Sequence, residues 1–459
     1  MCMNCLSERI PDPGCYNLSL FKKGMTNMEH LNKIAHEALD SLLVKGAQKA
    51  QCAVSRTETR EFNVDGGEFS LLRTLFDNSL SLTAIKDGKR GVIDGNRVDG
   101  DSVEAAALGC IEAAEAGDAD SAWDVAPAEN RGNFTVGAPE CDLDRFFERL
   151  RELMDTVKAR HPSIMMEQLI AQHIREDEVY LNSNGAHFET VSGCYLISLM
   201  FSAHEGEHGS SFFESSVRTA SLDQPLLALG SLEKDLCDVE RQIHTTPVDG
   251  KFTGVMLLAP ACLEDMLGTA ISNFAGDLTM LNGTSIWRDM LGKRVADERL
   301  TLSRAPLDER IVFGERHTDE GFCSENFDLI KDGVLKSFDI SNYVANKTGL
   351  PRARNTSSCL LAAPGDAALA DMISGISDGI FVSRFSGGSP SVNGDFSGVA
   401  KNSFLLKDGR VTDAVSETMI SGNLADMLNN IVAISRETVS TGSYVLPYIA
   451  FGGITVSGK

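Results

Sequence analysis

The hydrophobic positions near the start of the chain recur with a helical period. Between Met28 and about Gly46 the apolar residues follow an i, i+3, i+4, i+7 spacing, which predicts an amphipathic helix. Stretches rich in β-branched and apolar residues follow this helix and predict strands: 51–64, 68–76 and 80–85. The first region therefore combines helix and sheet.

The next segments alternate between helical and extended patterns. A helical stripe begins near Asp101, and another follows Leu143. The stretch 126–139 between them is rich in Pro, Gly and Asn and has no clear period, which predicts a linker. Short runs of alternating apolar and polar residues then predict an antiparallel meander: 179–182, 188–191, 195–201 and 211–217.

The second half of the chain carries fewer helical stripes. Patterns of helical period predict helices near 222–237, 260–274 and 423–434, and strand and turn signals dominate after about residue 285. The whole pattern is that of an α+β protein. At 459 residues the chain is too long for one ordinary core, and we divide it into a disordered leader (1–27), an N-terminal α/β domain (28–220) and a C-terminal β-rich domain (221–459).

Charge and composition narrow the function. The chain has 42 Lys and Arg against 65 Asp and Glu, a formal charge of −23, which would repel a phosphate backbone and argues against direct nucleic-acid binding. No run reaches the roughly 18 apolar residues of a membrane span, and no apolar signal region precedes Met28. We therefore expect a cytoplasmic protein without a membrane partner. Cys2 and Cys5 form a CxxC, but no second pair accompanies it, so a disordered leader is favoured over a metal or redox site.

One short motif matches a zinc protease pattern. His204, Glu205 and His208 fit H-E-x-x-H, in which two histidines one helical turn apart bind zinc and the glutamate polarises the bound water. The motif works only on a helix. Here it lies between two strand-like runs, with Gly206 at its centre and Gly209 after it, which favours a hairpin loop. We favour a solvated turn and keep zinc binding by His204 and His208 as the alternative.

A second polar segment could contact a substrate. His317, Asp319 and Glu320 lie close together in the chain and could bind a substrate or a cation. They could equally form an acidic surface loop, because one imidazole and two carboxylates need partners from elsewhere. The sequence has no GxSxG elbow, P-loop or dinucleotide-binding glycine motif. The residues alone therefore lead to an acidic, multidomain α+β protein.

Segments of the C-terminal half, taken in order and spacing, resemble those of one protein family. They are Phe252–Pro260, Thr318–Gly321, Lys331–Lys336, Val392–Gly398, Glu417–Leu424 and Leu446–Ile449. Together they resemble the TldD/PmbA family, and the resemblance continues more weakly back to the first helix. It implies an N-terminal α/β region with a mixed sheet and a C-terminal region rich in antiparallel sheet.

The resemblance also marks a position where metal binding is lost. In the TldD branch, a strand and an Ala-Pro-like turn lead into a helix bearing H-E-x-x-x-H, whose histidines bind zinc with help from a later cysteine. Here Glu264 and Thr269 occupy the two histidine positions and Asp265 the glutamate position, while Gly268 is kept. Threonine is a poor zinc ligand and no imidazole remains. The chain thus resembles the metal-free TldE/PmbA branch, with no catalytic residue and no cofactor of its own.

The resemblance implies a non-catalytic subunit of a two-component zinc metalloprotease. Its partner would be a TldD-like subunit that holds the zinc, and its substrates unfolded or small peptides, as in peptide maturation or antitoxin degradation. A homodimer remains open. One alternative is a regulatory binding protein of the gyrase-modulator type that acts indirectly. The other is an autonomous metalloprotease that uses His204 and His208.

Overall fold

The computed structural model describes residues 27–458, within which two large sheets are flanked by helices. The helices are α1 (Asn27–Val44), α2 (Gly100–Ala116), α3 (Leu143–Arg160), α4 (Leu232–Glu240), α5 (Pro260–Ala275), α6 (Asp277–Asn282), α7 (Asn342–Thr348), α8 (Leu369–Ser374) and α9 (Leu424–Asn429). The mixture confirms the α+β class. Within the described residues, no helix has both the length and the apolar character needed to cross a membrane.

The first sheet contains the strands up to Thr219. They are β1 (Lys49–Asp65), β2 (Glu68–Lys86), β3 (Lys89–Gly95), β4 (Arg131–Gly137), β5 (Ile164–Asn182), β6 (His187–Glu205), β7 (His208–Gly209) and β8 (Phe213–Thr219). Their order is β3-β2-β1-β5-β6-β4, with β7 and β8 also paired to β6. Strand β4 is parallel to β6, and the other pairings in this sheet are antiparallel.

Side-chain alternation gives the first sheet one apolar and one polar face. On one face, residues such as Val54 and Val179 pack under α1 and α2. Further along the same strands, residues such as Leu169 pack under α3 and α4. All four helices therefore cover the same face. The neighbouring positions, such as Ser55 and Glu178, point to the opposite side.

The second sheet contains the strands from Thr245 onward. They are β9 (Thr245–Pro247), β10 (Lys251–Leu258), β11 (Leu302–Arg304), β12 (Phe327–Lys331), β13 (Val334–Leu335), β14 (Leu360–Ala362), β15 (Asp378–Ser386), β16 (Asp395–Lys407), β17 (Arg410–Ser416), β18 (Thr418–Asn423), β19 (Ile431–Ser440) and β20 (Val445–Ser457). The order is β13-β12-β11-β14-β20-β10-β15-β16-β17-β9, with β18 and β19 also paired to β20. Most pairings are antiparallel, as the sequence predicted. The largest apolar cluster lies between this sheet and α5.

The predicted linker and two of the predicted helices differ from the structure. The stretch 126–139 contains β4, which pairs along its whole length with β6, so it is part of the first sheet and not a linker. The helix predicted over 222–237 begins only at Leu232, because Pro225 and Gly230 interrupt the pattern before it. The helix predicted over 423–434 ends at Asn429, and the following β-branched residues form β19.

The predicted domain limits remain a prediction, although the first sheet ends at Thr219 and the second begins at Thr245. The predicted leader, including the CxxC, lies outside the described residues apart from Asn27, which begins α1.

Candidate functional site

Helix α5 carries the residues at the predicted metal-motif positions on its less buried side. Ala259 precedes the helix as its N-cap and Pro260 occupies the first turn, where its missing N–H costs nothing. Apolar residues such as Leu263 and Met266 anchor the helix in the large core. Glu264, Asp265, Gly268 and Thr269 are half-buried or exposed.

The chemistry of this surface is that of carboxylates. Burial, and then the charge of Asp265, raise the pKa of Glu264, while the charge of Arg304 opposes this rise. Although Asp265 is exposed, partial loss of hydration also raises its pKa. The Thr269 hydroxyl donates to the carbonyl of Asp265 at 2.9 Å, so its proton is already used within the helix. These groups can hold protons, but they do not reproduce a histidine zinc site.

The histidines of the H-E-x-x-H match lie on a hairpin. Strand β6 ends at Glu205, and the register pairs His204 with Gly209 and Glu205 with His208. Paired residues share a face and successive residues alternate, so His204 and His208 project to opposite faces. His204 Nε2 lies 2.9 Å from the hydroxyl of Ser202. This is the turn favoured from the sequence, and its geometry does not place the two imidazoles around one ion.

His317 lies at the polar face of the first sheet. The residue is 8% exposed, and its ring stacks on Phe188, with centroids 4.5 Å apart and an angle of 12°. Its Nε2 lies 3.3 Å from a carboxylate oxygen of Glu178 on β5, and its Nδ1 lies 3.2 Å from the carbonyl of Thr318. Burial alone would lower the pKa of His317, but the hydrogen bond and charge of Glu178 more than offset burial and raise it.

Asp319 and Glu320 have different surroundings. Asp319 is exposed, and its backbone carbonyl accepts a hydrogen bond from Gln51 at 3.2 Å. The Glu320 carboxylate accepts from the backbone N–H of Asn342 at 2.8 Å, at the start of α7. Glu320 therefore fixes the loop to a helix, while Asp319 is free to meet a ligand.

Two cavities flank His317 and share its neighbours. One, of about 480 Å³, extends over β1, β2 and β3. The other, of about 410 Å³, extends over β6 towards Ser357 and Ser358. The two cavities share four lining residues: Glu176, Glu178, His317 and Asp319. We call this continuous polar space between the first sheet and the 313–320 loop the central cleft.

The walls of the central cleft carry hydroxyls and carboxylates. Strand residues contribute Ser55, Ser79, Ser81, Thr83, Asp94, Glu176, Thr190 and Ser192, with Arg90 as a cation. Burial first, and the charge of Glu178 second, raise the pKa of Glu176. Such a surface offers hydrogen bonds to the backbone of an extended peptide.

A close contact holds the loop against the sheet. Gly321 has φ +81°, and a Cβ added there would lie 2.3 Å from the hydroxyl of Tyr180. The Tyr180 hydroxyl donates to Gln51 at 3.0 Å. Only glycine therefore lets the loop close over Tyr180.

Arg304 connects the central cleft to α5. Its guanidinium donates to the carbonyl of Ser358, which lines the smaller cavity, and pairs with Asp339 at 2.7 Å. Its charge also acts on Glu264. The cleft residues of the first sheet were not predicted from the sequence. The pattern that could have predicted them is the alternation of serines and threonines with apolar residues in β1 and β2.

Comparison with known proteins gives a consistent set of relatives. Residues 253–458 match the model of the PmbA/TldA metallopeptidase C-terminal domain. Metalloprotease PmbA of Escherichia coli O157:H7 is 24% identical, with 95% of this chain and 100% of the relative covered. A zinc metalloprotease TldD homolog of Saccharolobus solfataricus is 28% identical, with 63% of this chain and 68% of the relative covered.

Solved structures share the fold. TldE from Thermococcus kodakarensis superposes with a TM-score of 0.79 at 19% identity, covering 94% of this chain and 100% of that one. A putative modulator of DNA gyrase from Bacteroides thetaiotaomicron superposes with a TM-score of 0.81 at 24% identity, covering 95% and 100%. At sequence identities this low, the similarity to these two structures shows a shared fold alone.

Proposed function

Because the chain belongs to the TldD/PmbA family, we propose that it is the subunit of a two-component protease that lacks the catalytic zinc, which is held by a TldD-like partner. The composition of α5 carries this proposal. Glu264 and Thr269 stand where the zinc-binding branch has histidines, and the Thr269 hydroxyl is bonded to Asp265. A catalytic zinc takes three protein ligands around an open position, whereas these α5 positions offer only the carboxylates of Glu264 and Asp265. The chain therefore contributes binding surface and not the reacting metal.

The central cleft supports a role in holding peptide. It is lined by hydroxyls and by the Glu178–His317 pair, and its Asp319 side is exposed. An unfolded peptide presents free N–H and C=O groups, which such side chains satisfy without selecting one sequence. Folded proteins are excluded by the size of the cavities.

The edge of β2 supports the partnership. Strand β3 pairs with β2 only from Leu80 onward, so the preceding part of β2 has β1 on one side and, within residues 27–458, no strand on the other. Large apolar side chains are exposed there: Phe69, Leu71, Leu72, Leu75 and Phe76, at 36–59% of their surface. An exposed apolar edge strand is a typical site of protein association.

The test is reconstitution with a TldD-like zinc metalloprotease from the same source. We expect a stable complex on size-exclusion chromatography and hydrolysis of an unstructured peptide that neither subunit shows alone. Substituting lysine at Leu72 and Phe76 should weaken the complex. Val432→Lys is the matched control, because Val432 is 45% exposed on the second sheet.

Two results would contradict the proposal. Full activity of the partner alone, unchanged on adding this chain, would favour the regulatory binding protein. Metal-dependent hydrolysis by this chain alone that is lost in His204→Ala would favour the autonomous protease.

A further inference from the structure

Three residues with metal-binding side chains meet where α3 ends against α4. His161 follows the last residue of α3, and Cys237 and Glu240 lie on α4. One potential ligand atom from each lies within 4.8 Å of the other two. None of the three lines the central cleft.

The local sequence explains the arrangement. Cys237 and Glu240 are three residues apart, so they share one face of α4. Pro162 disfavours continuation of α3 through His161, and the turn brings the imidazole against that face. Its Nδ1 lies 2.8 Å from one oxygen of Glu240, and the Ser163 hydroxyl donates to the other oxygen at 2.7 Å.

The hydrogen bonds of His161 are incomplete. The residue is 4% exposed, yet its Nε2 is buried without a hydrogen-bond partner among the described residues. Because Nε2 lies across the ring from the Nδ1 that meets Glu240, Nδ1 is the nitrogen that an ion shared with Cys237 and Glu240 would use. Cys237 is exposed, so its thiol is open to an ion from solvent.

We propose that His161, Cys237 and Glu240 bind a divalent transition metal, with zinc as the expected ion. Nitrogen, sulfur and carboxylate oxygen together suit zinc better than calcium or magnesium. Zinc bonds of about 2.0–2.3 Å require the three side chains to close around the ion, which the exposed Cys237 permits by changing rotamer. Ser163 orients the Glu240 carboxylate, as outer partners do in metal sites.

This site goes beyond the proposed function. It lies on the helix-covered side of the first sheet and would join the end of α3 to α4, whatever the partner protease does. No metal was expected in this chain because Glu264 and Thr269 replace the histidines on α5, and the site proposed here is formed by residues far apart in the sequence.

The experiment is a Co²⁺ titration of the metal-stripped full chain, followed by competition with Zn²⁺. We expect one Co²⁺ per chain, a thiolate-to-cobalt charge-transfer band, and displacement by Zn²⁺. Cys237→Ser should abolish the band. Ser163→Ala should weaken binding by roughly 10–100-fold, as the loss of an outer partner does.

Matched variants make the result specific. Cys141→Ser removes a half-buried thiol elsewhere, and His204→Ala removes an imidazole of the hairpin; both should keep the band. Circular dichroism confirms that each variant is folded. The absence of a band at about millimolar Co²⁺, or a band that survives Cys237→Ser or disappears in either control, would overturn the site. Neither result depends on α5, so the proposed function is tested separately.

Discussion

Replacing Glu178 by glutamine tests whether the Glu178–His317 pair organises the central cleft. The two groups are 3.3 Å apart, with side-chain exposures of 30% and 6%. Unit charges at this distance attract by about 5 kcal/mol at an effective dielectric constant of about 20, and the desolvation of both groups cancels much of this. A charge-assisted hydrogen bond contributes about 1.5–3 kcal/mol net. We therefore expect Glu178→Gln to cost about 2 kcal/mol when His317 is protonated.

The sign of the pH dependence follows from the raised pKa of His317. A raised folded-state pKa gives stability that is fully present below the unfolded value of 6.5 and is lost as pH rises through the folded value. The cost of Glu178→Gln should thus be largest near about pH 6 and small near about pH 8.5. At the higher pH, the substitution also removes the repulsion between the carboxylates of Glu178 and Glu176, a repulsion that helps to raise the pKa of Glu176. The substitution should therefore be neutral or slightly stabilising.

The assay is urea unfolding of both proteins at each pH, with the pKa of His317 followed by NMR of labelled imidazoles. In Glu178→Gln that pKa should fall, because only the carbonyl of Thr318 and the charge of Glu315 then oppose the effect of burial. Glu205→Gln is the control, because Glu205 pairs with His244 at 3.1 Å on the surface, where such pairs contribute about 0–1 kcal/mol. An equal loss at both pH values, or a loss that grows with pH, would refute the reasoning.

Three further predictions concern the loop, α5 and the surface charge. Gly321→Ala should cost about 3 kcal/mol in urea unfolding, because it combines a positive φ with a clash against Tyr180; Gly292→Ala, with φ +76° and open space, should cost about 1 kcal/mol, and equal costs would contradict the clash. Glu264→His should leave zinc content by elemental analysis equal to that of the parent chain, because Thr269 still occupies the second ligand position; one additional zinc would refute this. The charge of −23 should prevent saturable DNA binding below about 10 μM at physiological salt, and submicromolar affinity by anisotropy would reveal a basic patch.

The sequence predicted features that depend on local pattern. The apolar stripe of α5 predicted which of its residues enter the core. Gly206 and the flanking strands predicted the hairpin that carries His204 and His208. Both arise from the periodicity of side chains within one element. The α+β class followed for the same reason.

Features that depend on pairing between distant segments were not predictable in this way. Strand β4 has a weak pattern of its own and is defined by its partner β6. The meeting of His317 with Glu178 needs the loop to reach the first sheet, a contact that neither segment encodes alone. The same holds for His161 and Cys237.

The core positions of α5 are separate from the positions of the proposed metal motif. The core under α5 is built by Leu263, Met266 and their neighbours, and these do not include Glu264 or Thr269. The side chains at positions 264 and 269 can therefore differ while the apolar stripe stays intact. The central cleft depends on a separate set of contacts, chiefly Glu178 with His317. Under the proposed function, this separation lets the chain keep a surface for peptide while a partner holds the reacting metal.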